Sequence, residues 1–209
     1  MKLPHCLVGC ALLACAGVVQ AAVIPVVNGS FENGLTQGVI WYQLPVETNG
    51  WVAGAYTSYM VYDIGNTSDQ HFTVAPDGVF VLNTDSAATT GGITETLNYT
   101  VNPGDVFILD FYVGRSLKGQ GAGTLTASIL VGTSTIGTNA MIATTAAQGA
   151  WDHKTVTGTA TTGGPLSISF AKNSDAPWLD KVTMTVVPEP ASLGLLSLAG
   201  LAMLRRRRA

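Results

Sequence analysis

Hydrophobic and polar residues alternate with a period of two along most of the chain between residues 23 and 187. The clearest run is 106–113, where Asp110 and Tyr112 occupy one parity and the other parity is apolar throughout: Phe107, Leu109, Phe111 and Val113. Successive side chains of a β-strand point to opposite faces, so this pattern predicts strands with one buried face. No long run with the 3.6-residue period of a helix interrupts it.

Turn signals separate the alternating runs. The strongest of them are Pro76-Asp77-Gly78, Gly91-Gly92, Pro103-Gly104-Asp105 and Gly163-Gly164-Pro165. Between such signals the sequence predicts ten short strands, near residues 23–28, 39–43, 50–62, 79–84, 92–100, 106–114, 123–132, 154–161, 165–171 and 179–187. Many short strands with regular turns indicate an all-β fold, a single antiparallel β-sandwich or jelly roll over residues 22–187.

Composition and charge narrow the range of functions. The 209 residues are 47% hydrophobic and 11% charged, which excludes a disordered chain. Residues 22–187 carry five Lys or Arg against twelve Asp or Glu, a formal charge of −7 that disfavours nucleic acid as a partner. All three cysteines lie at or before Cys15, so the body has no disulfide to form.

The first 21 residues are typical of a secretory signal peptide. Lys2 supplies the positive start, an uncharged and mostly apolar run follows from Cys6 to Val19, and small residues precede Ala22 at the expected cleavage point. A lipoprotein signal with a modified Cys15 is the alternative. Either interpretation sends the body out of the cytoplasm.

The last 22 residues, 188–209, combine three features in a fixed order. Pro188, Glu189 and Pro190 come first, an apolar stretch over 191–204 follows, and Arg205, Arg206, Arg207 and Arg208 precede the final alanine. Fourteen residues in a helix span roughly 21 Å, which is short for a membrane. The arginines are expected to stay cytoplasmic, so the body faces outward.

This three-part tail resembles the PEP-CTERM sorting signal. The resemblance implies recognition by an exosortase-type processing protease, a transient inner-membrane anchor through the C-terminal helix, and export to the cell surface or extracellular matrix of biofilm-forming bacteria. A plain tail anchor that is never removed is the alternative.

The body resembles galactose-binding-like jelly rolls, including carbohydrate-binding modules. The resemblance rests on an ordered series of motifs: Asn28-Gly29-Ser30-Phe31-Glu32, Gly50-Trp51, Pro76-Asp77-Gly78, Pro103-Gly104-Asp105 and Trp178-Leu179-Asp180. It implies a non-catalytic protein that binds polysaccharide or contributes to a biofilm matrix. A purely structural surface protein without a glycan site is the alternative.

The same resemblance implies a structural calcium, the one cofactor expected, near Glu32 and Asp180. Asp180 also shares its parity with Trp178, Val182 and Met184, and a carboxylate turned toward a core needs a cation or several hydrogen-bond donors. Calcium takes six to eight oxygens, so backbone carbonyls near Asn28 and Ser30 would join. Lys181 departs from the family pattern, which has a second acidic residue there.

Exposed aromatic rings are the candidate ligand platform, because the C–H faces of sugars stack on them. Trp41, Tyr42 and Trp151 are the predicted ligand-binding residues, whereas Trp51 and Trp178 are expected to pack the ends of the sandwich. No catalytic residue is predicted, since the zinc-protease and nucleophile-elbow motifs are missing from the sequence. A glycan-active enzyme with a carboxylate pair is the least favoured interpretation.

Overall fold

The computed structural model describes residues 20–38, 41–45, 50–53, 58–84, 92–175 and 177–188. Within these ranges the chain forms strands and one short 3₁₀ helix, Thr67–Asp69. The strands are β1 (Ala22–Ile24), β2 (Trp41–Pro45), β3 (Val52–Ala53), β4 (Ser58–Asp63), β5 (Phe80–Asn83), β6 (Gly92–Thr100), β7 (Val106–Gly114), β8 (Thr124–Val131), β9 (Ser134–Ala143), β10 (Trp151–Thr159), β11 (Pro165–Ser174) and β12 (Trp178–Val187).

The strands form two antiparallel sheets that pack face to face as a jelly-roll β-sandwich. Sheet A runs in the order β10-β7-β12-β5-β4-β2, with β1 added to β12, and sheet B runs β3-β6-β11-β8-β9. One continuous hydrophobic core fills the space between them. The predicted all-β class is therefore confirmed, and residues 21–188 form one compact unit.

The alternating runs became strands with the predicted buried face. Phe107, Leu109, Phe111 and Val113 are fully buried on the inner side of β7. The sequence-based prediction was wrong in two places: it missed β9, and it took residues 50–62 as one strand where β3 and β4 are separate. The β8–β9 hairpin turns at Gly132, whose φ of 59° suits a two-residue turn.

A β-bulge in β12 changes the face on which Asp180 lies. Asp180 pairs with Tyr112 and Thr183 with Asp110, so two residues of β12 oppose one residue of β7. Asp180 therefore lies on the outer face of sheet A with Tyr112, while Val182 and Met184 face the core. The expectation that Asp180 shares the inner face with them was wrong, because a bulge reverses the alternation without altering the sequence pattern.

Both predicted targeting segments lie outside the described residues, apart from residues 20, 21 and 188. In the part of the chain that the structure describes, no helix is both long enough and apolar enough to span a membrane. The strand that begins the predicted mature chain, β1, pairs with the end of β12, and Ala22 lies opposite Val186.

Candidate functional site

The candidate site, which we call the junction, consists of the turn over residues 28–33, the loop that carries Asp77, and residues 180–183 of β12. The turn over residues 28–33 positions its first half. The Phe31 backbone N–H donates to the Asn28 carbonyl at 3.0 Å, and the Asn33 N–H donates to the Asn28 side-chain Oδ1 at 2.9 Å. Phe31 is fully buried and packs against Trp51, with ring centroids 5.7 Å apart. The buried Phe31 ring fixes the turn, and the next residue, Glu32, is only half-buried.

The Glu32 carboxylate holds the loop before β5 in place. Its Oε1 accepts hydrogen bonds from the backbone N–H groups of Val79 and Phe80, at 2.8 and 2.7 Å. Gly78 makes this approach possible, because a Cβ there would lie 2.2 Å from Glu32 Oε1. The loop that carries Asp77 is thereby tied to the 28–33 turn.

Asp180 lies beneath this loop and is fully buried. Its Oδ2 accepts from the Asp77 N–H at 3.0 Å and its Oδ1 from the Lys181 N–H at 2.6 Å. Burial raises the pKa of Asp180 to about 8, and the negative charges of Asp77 and Glu32 also raise it. The junction therefore brings carboxyl groups close together, and a bound cation would stabilise their ionised forms.

The structure brings the four predicted calcium ligands to one place, but they differ in how well their oxygen atoms are placed to bind an ion. Glu32 and Asp180 interact electrostatically, and Ser30 lines an adjacent cavity. The Asn28 carbonyl already accepts from Phe31 and from the Trp51 indole Nε1 at 3.2 Å. Among the described residues no three His, Cys, Asp or Glu side chains could hold a metal ion by themselves, so an ion at the junction would need carbonyl oxygens as well.

The backbone of the junction is strained. Of the four non-glycine residues with positive φ in the described ranges, Asn28 (54°), Phe31 (59°) and Lys181 (50°) belong to it. Such conformations are costly for residues with a Cβ and concentrate at functional sites.

A cavity of about 320 Å³ opens at this strained segment. Its apolar wall comes from residues 23–26 together with Val182, and its polar groups come from Ser30, Asp77, Lys181 and Thr183. Apolar walls with a few converging polar groups are the usual make-up of a small-ligand site.

The predicted aromatic platform is only partly within the described structure. Trp41 and Tyr42 lie on β2, where their backbones pair with Tyr62 and Val61, and their side chains lie outside the described part. Trp151 is half-buried; its ring stacks on Phe72 at 4.4 Å and its Nε1 donates to the Val74 carbonyl at 2.9 Å. These contacts give Trp151 a packing role in addition to its exposed edge.

Trp51 and Trp178 are both fully buried, but only Trp51 packs in the core between the two sheets as predicted. Trp178 belongs to a second cluster on the outer face of sheet A, with Phe72 and Val81. His71 packs on Trp178 at 4.6 Å and its Nδ1 lies 2.9 Å from the Ser116 hydroxyl. Burial lowers the pKa of His71, which favours the neutral imidazole in this cluster.

Sequence reasoning missed three residues at or beside the junction. Asp77 belongs to the Pro-Asp-Gly segment, which predicts only a turn. Lys181 and Tyr112 lie on strands, and nothing in the alternation indicates that a bulge brings the lysine ammonium to 5.7 Å from the tyrosine ring centroid. The departure from the family pattern at Lys181 was the one signal available.

Comparison with known proteins gives two family matches. Residues 22–185 match the HpiC1-like family, described as HpiC1 cyclase, and residues 186–208 match the PEP-CTERM protein-sorting motif. The search of curated proteins returned no match.

Solved structures of carbohydrate-binding domains are similar to the chain. The CBM22-1 xylan-binding domain of Paenibacillus barcinonensis Xyn10C is 17% identical, with 70% of this chain and 92% of that chain covered and a TM-score of 0.43. A CBM35 from Paenibacillus barcinonensis is 14% identical, with coverages of 71% and 98% and a TM-score of 0.41. A family 35 carbohydrate-binding module from Clostridium thermocellum is 15% identical, with coverages of 69% and 96% and a TM-score of 0.37.

Proposed function

We propose that this chain, which belongs to the HpiC1-like family and carries a PEP-CTERM sorting motif at residues 186–208, is an exported surface protein whose body binds polysaccharide without catalysis. The motif indicates an exported, cell-surface protein that an exosortase processes. Until that step, the apolar segment 191–204 anchors the protein in the inner membrane, with the arginines cytoplasmic. Afterwards the sandwich remains outside as a binding domain.

The cavity at the junction is the observation that carries this proposal. A volume of about 320 Å³ matches the lower end of small-ligand sites and suits one sugar unit of a chain. Its valines can contact the C–H faces of a sugar, while Ser30, Asp77, Lys181 and Thr183 can bind hydroxyls. Thr183 is exposed on β12, so a polymer can approach from the outer face of sheet A.

Affinity electrophoresis of the full-length protein in mild detergent tests the proposal. The gels contain the exopolysaccharide of the producing cells or a panel of soluble neutral and acidic polysaccharides. We expect retardation by at least one polymer and its loss in Thr183→Trp, which fills the cavity mouth. Thr157→Trp, on the exposed outer side of β10, should migrate like the wild type. Free migration on every polymer would favour a purely structural surface protein.

We also propose that calcium binds at the junction. Asp77 and Glu32 act electrostatically on Asp180, Ser30 offers a further oxygen ligand beside them, and backbone carbonyl oxygens would complete the ligand set. Calcium prefers such oxygens, and its charge would offset the cost of burying Asp180. The ion would tie the 28–33 turn to β12 and so hold the wall of the cavity in place.

Thermal unfolding and calorimetry test the calcium proposal. Added calcium should raise the melting temperature and EDTA should lower it, because an ion that binds only the folded state stabilises it. Asp180→Asn should lose this response. Asp152→Asn, which changes a carboxylate on β10 that accepts hydrogen bonds from the Thr145 and Ala146 N–H groups, should keep it. Wild-type protein that takes up no calcium in the calorimeter would remove the proposal.

A cyclase is the second candidate function, favoured by the name of the matching family and by Asp180. The raised pKa of Asp180, about 8, keeps a carboxylic acid protonated at neutral pH, as an acid-catalysed cyclisation requires. However, Asp180 is fully buried and does not line the cavity, so a substrate there is out of reach of its proton. Incubation with small-molecule extracts of the host tests this candidate: a product of unchanged mass and altered retention, missing with Asp180→Asn, would favour the cyclase.

A further inference from the structure

Lys181 is exposed at the β-bulge of β12, between the cavity and Tyr112. Its φ of 50° departs from the extended backbone of the strand. The side chain consequently crosses toward β7, and its Nζ lies 5.7 Å from the centroid of the Tyr112 ring. A cation at this distance from an aromatic ring is weakly attracted to it.

Tyr112 is the centre of a small polar surface on the outer face of sheet A. Its strand, β7, lies between β10 and β12, and Tyr112 pairs with His153 on one side and Asp180 on the other. The His153 ring lies 5.1 Å from the Tyr112 ring, and His153 Nε2 lies 3.1 Å from Asp110 Oδ1. A half-buried tyrosine ring is thus flanked by the histidine and by the lysine ammonium.

Lys181 forms no ion pair within the described part of the chain, in contrast to Lys154, whose Nζ lies 3.4 Å from Asp152 Oδ2. This matters in a body with five basic and twelve acidic residues, where carboxylates are abundant. The nearest acid in sequence, Asp180, is buried and bonded to backbone N–H groups. The ammonium of Lys181 therefore remains available to an anionic ligand.

We propose that Lys181, Tyr112 and the adjoining cavity recognise a carboxylate-bearing sugar, so that the polysaccharide bound is acidic. The sugar carboxylate pairs with the Lys181 ammonium, its apolar face contacts the exposed part of the Tyr112 ring, and its hydroxyls reach Thr183 in the cavity. Since the body as a whole is negatively charged and Asp77 also lines the cavity, binding of a polyanion requires this local cation. The inference rests on the proposed polysaccharide-binding function and specifies its ligand class.

Affinity electrophoresis of the full-length protein in mild detergent, with polygalacturonate as the acidic polymer and hydroxyethylcellulose as the neutral one, tests this inference. We expect stronger binding to polygalacturonate, weakened by added salt. Lys181→Met should lower that affinity about tenfold, the value of one charge-assisted hydrogen bond, and weaken binding to the neutral polymer much less, because a neutral sugar loses only a hydroxyl contact. Lys181→Arg should restore most of the affinity, and Tyr112→Leu should weaken it.

Lys154→Met is the matched control, because it removes the same charge from an ion-paired lysine. An equal loss in this variant would mean that only net charge matters, and it would overturn the inference. Wild-type protein that binds neutral polymers but not polygalacturonate would also overturn it, while the proposed function would stand. Failure to bind any polymer, the host exopolysaccharide included, would contradict the proposed function itself.

Discussion

Single buried carboxyl groups shape this molecule, and Glu95 is the clearest case outside the junction. It lies on β6 with its side chain turned into the sandwich and is 2% exposed. Its Oε1 accepts from the Val27 N–H at 2.7 Å, whereas its Oε2 is buried without a partner. Burial raises the pKa of Glu95 to about 7, although the bond from Val27 lowers it. The folded protein therefore prefers the neutral acid.

The pH dependence of stability should reveal this preference. The pKa of Glu95 in the folded protein, about 7, lies above the ordinary value of 4.5. Its contribution to the free energy of unfolding is therefore fully present below pH 4.5 and is lost as the pH rises toward 7. Glu95→Gln keeps an acceptor for Val27 and cannot ionise, so it should remove the part of the decline that Glu95 causes, while the part due to the raised pKa of Asp180 remains. We expect it to be more stable than the wild type at pH 8 by at most about 3 kcal/mol, measured by urea unfolding.

Asp152→Asn provides the control of opposite sign. Burial is the largest single influence on the pKa of Asp152 and would raise it, but hydrogen bonds from the Thr145 backbone and hydroxyl and the charge of Lys154 together hold it below its usual range. Its ionised form stabilises the fold, so the asparagine variant should lose stability at neutral pH and not at low pH. A Glu95→Gln variant whose stability declines from pH 4.5 to 8 as much as that of the wild type would contradict the assignment.

At the scale of strands, the alternation of the sequence predicted those elements that bury one face and expose the other. Strands β7 and β8 follow the pattern residue by residue. Strand β9 was missed because its register against β8 shifts twice, and such irregularities erase the period of two. The same limitation applies to β12, where the bulge moves Asp180 to the opposite face.

The candidate site was predictable only in part, for a related reason. The Phe-Glu and Trp-Leu-Asp motifs pointed to Glu32 and Asp180 as candidates. A sequence motif depends on the order of residues and is not affected by a shift in strand register. Asp77, Lys181 and Tyr112 come to the site through a loop tied down by Glu32 and through the bulge. Those are long-range contacts, and no local pattern in the sequence encodes them.

Strands β9 and β10 pack closely against each other at Gly137 and Gly158, and this contact yields a prediction. Gly137 lies so near β10 that a Cβ would be 2.4 Å from the Thr157 carbonyl oxygen. Gly137→Ala should therefore separate the strands and destabilise the fold by about 1–3 kcal/mol in urea unfolding. Gly132→Ala adds the same methyl in open space and should cost less, through its φ of 59° alone. Equal stability of Gly137→Ala and the wild type would contradict the close packing.

At the scale of the whole molecule, the two ends of the body lie together. The start of the predicted mature chain, Ala22, pairs with Val186, which is two residues before Pro188. The sorting motif thus follows directly on a strand that is held between β1 and β7. The segment that matches the sorting motif therefore begins where the first and last strands of the body pair with each other.

Replacing Pro188, Glu189 and Pro190 by alanine should leave the body folded but stop its processing. These three residues lie near the start of segment 186–208, which matches the PEP-CTERM sorting motif. Fractionation of the producing cells should then find the protein in the membrane fraction at the mass expected with its tail, whereas the wild type is found outside at a lower mass. Lys181→Met is a suitable control, since it alters the proposed binding surface and should be processed normally. Release of the triple-alanine protein at the same reduced mass as the wild type would show that processing does not depend on the motif. Wild-type protein that stays in the membrane with its full tail would instead indicate a plain tail anchor.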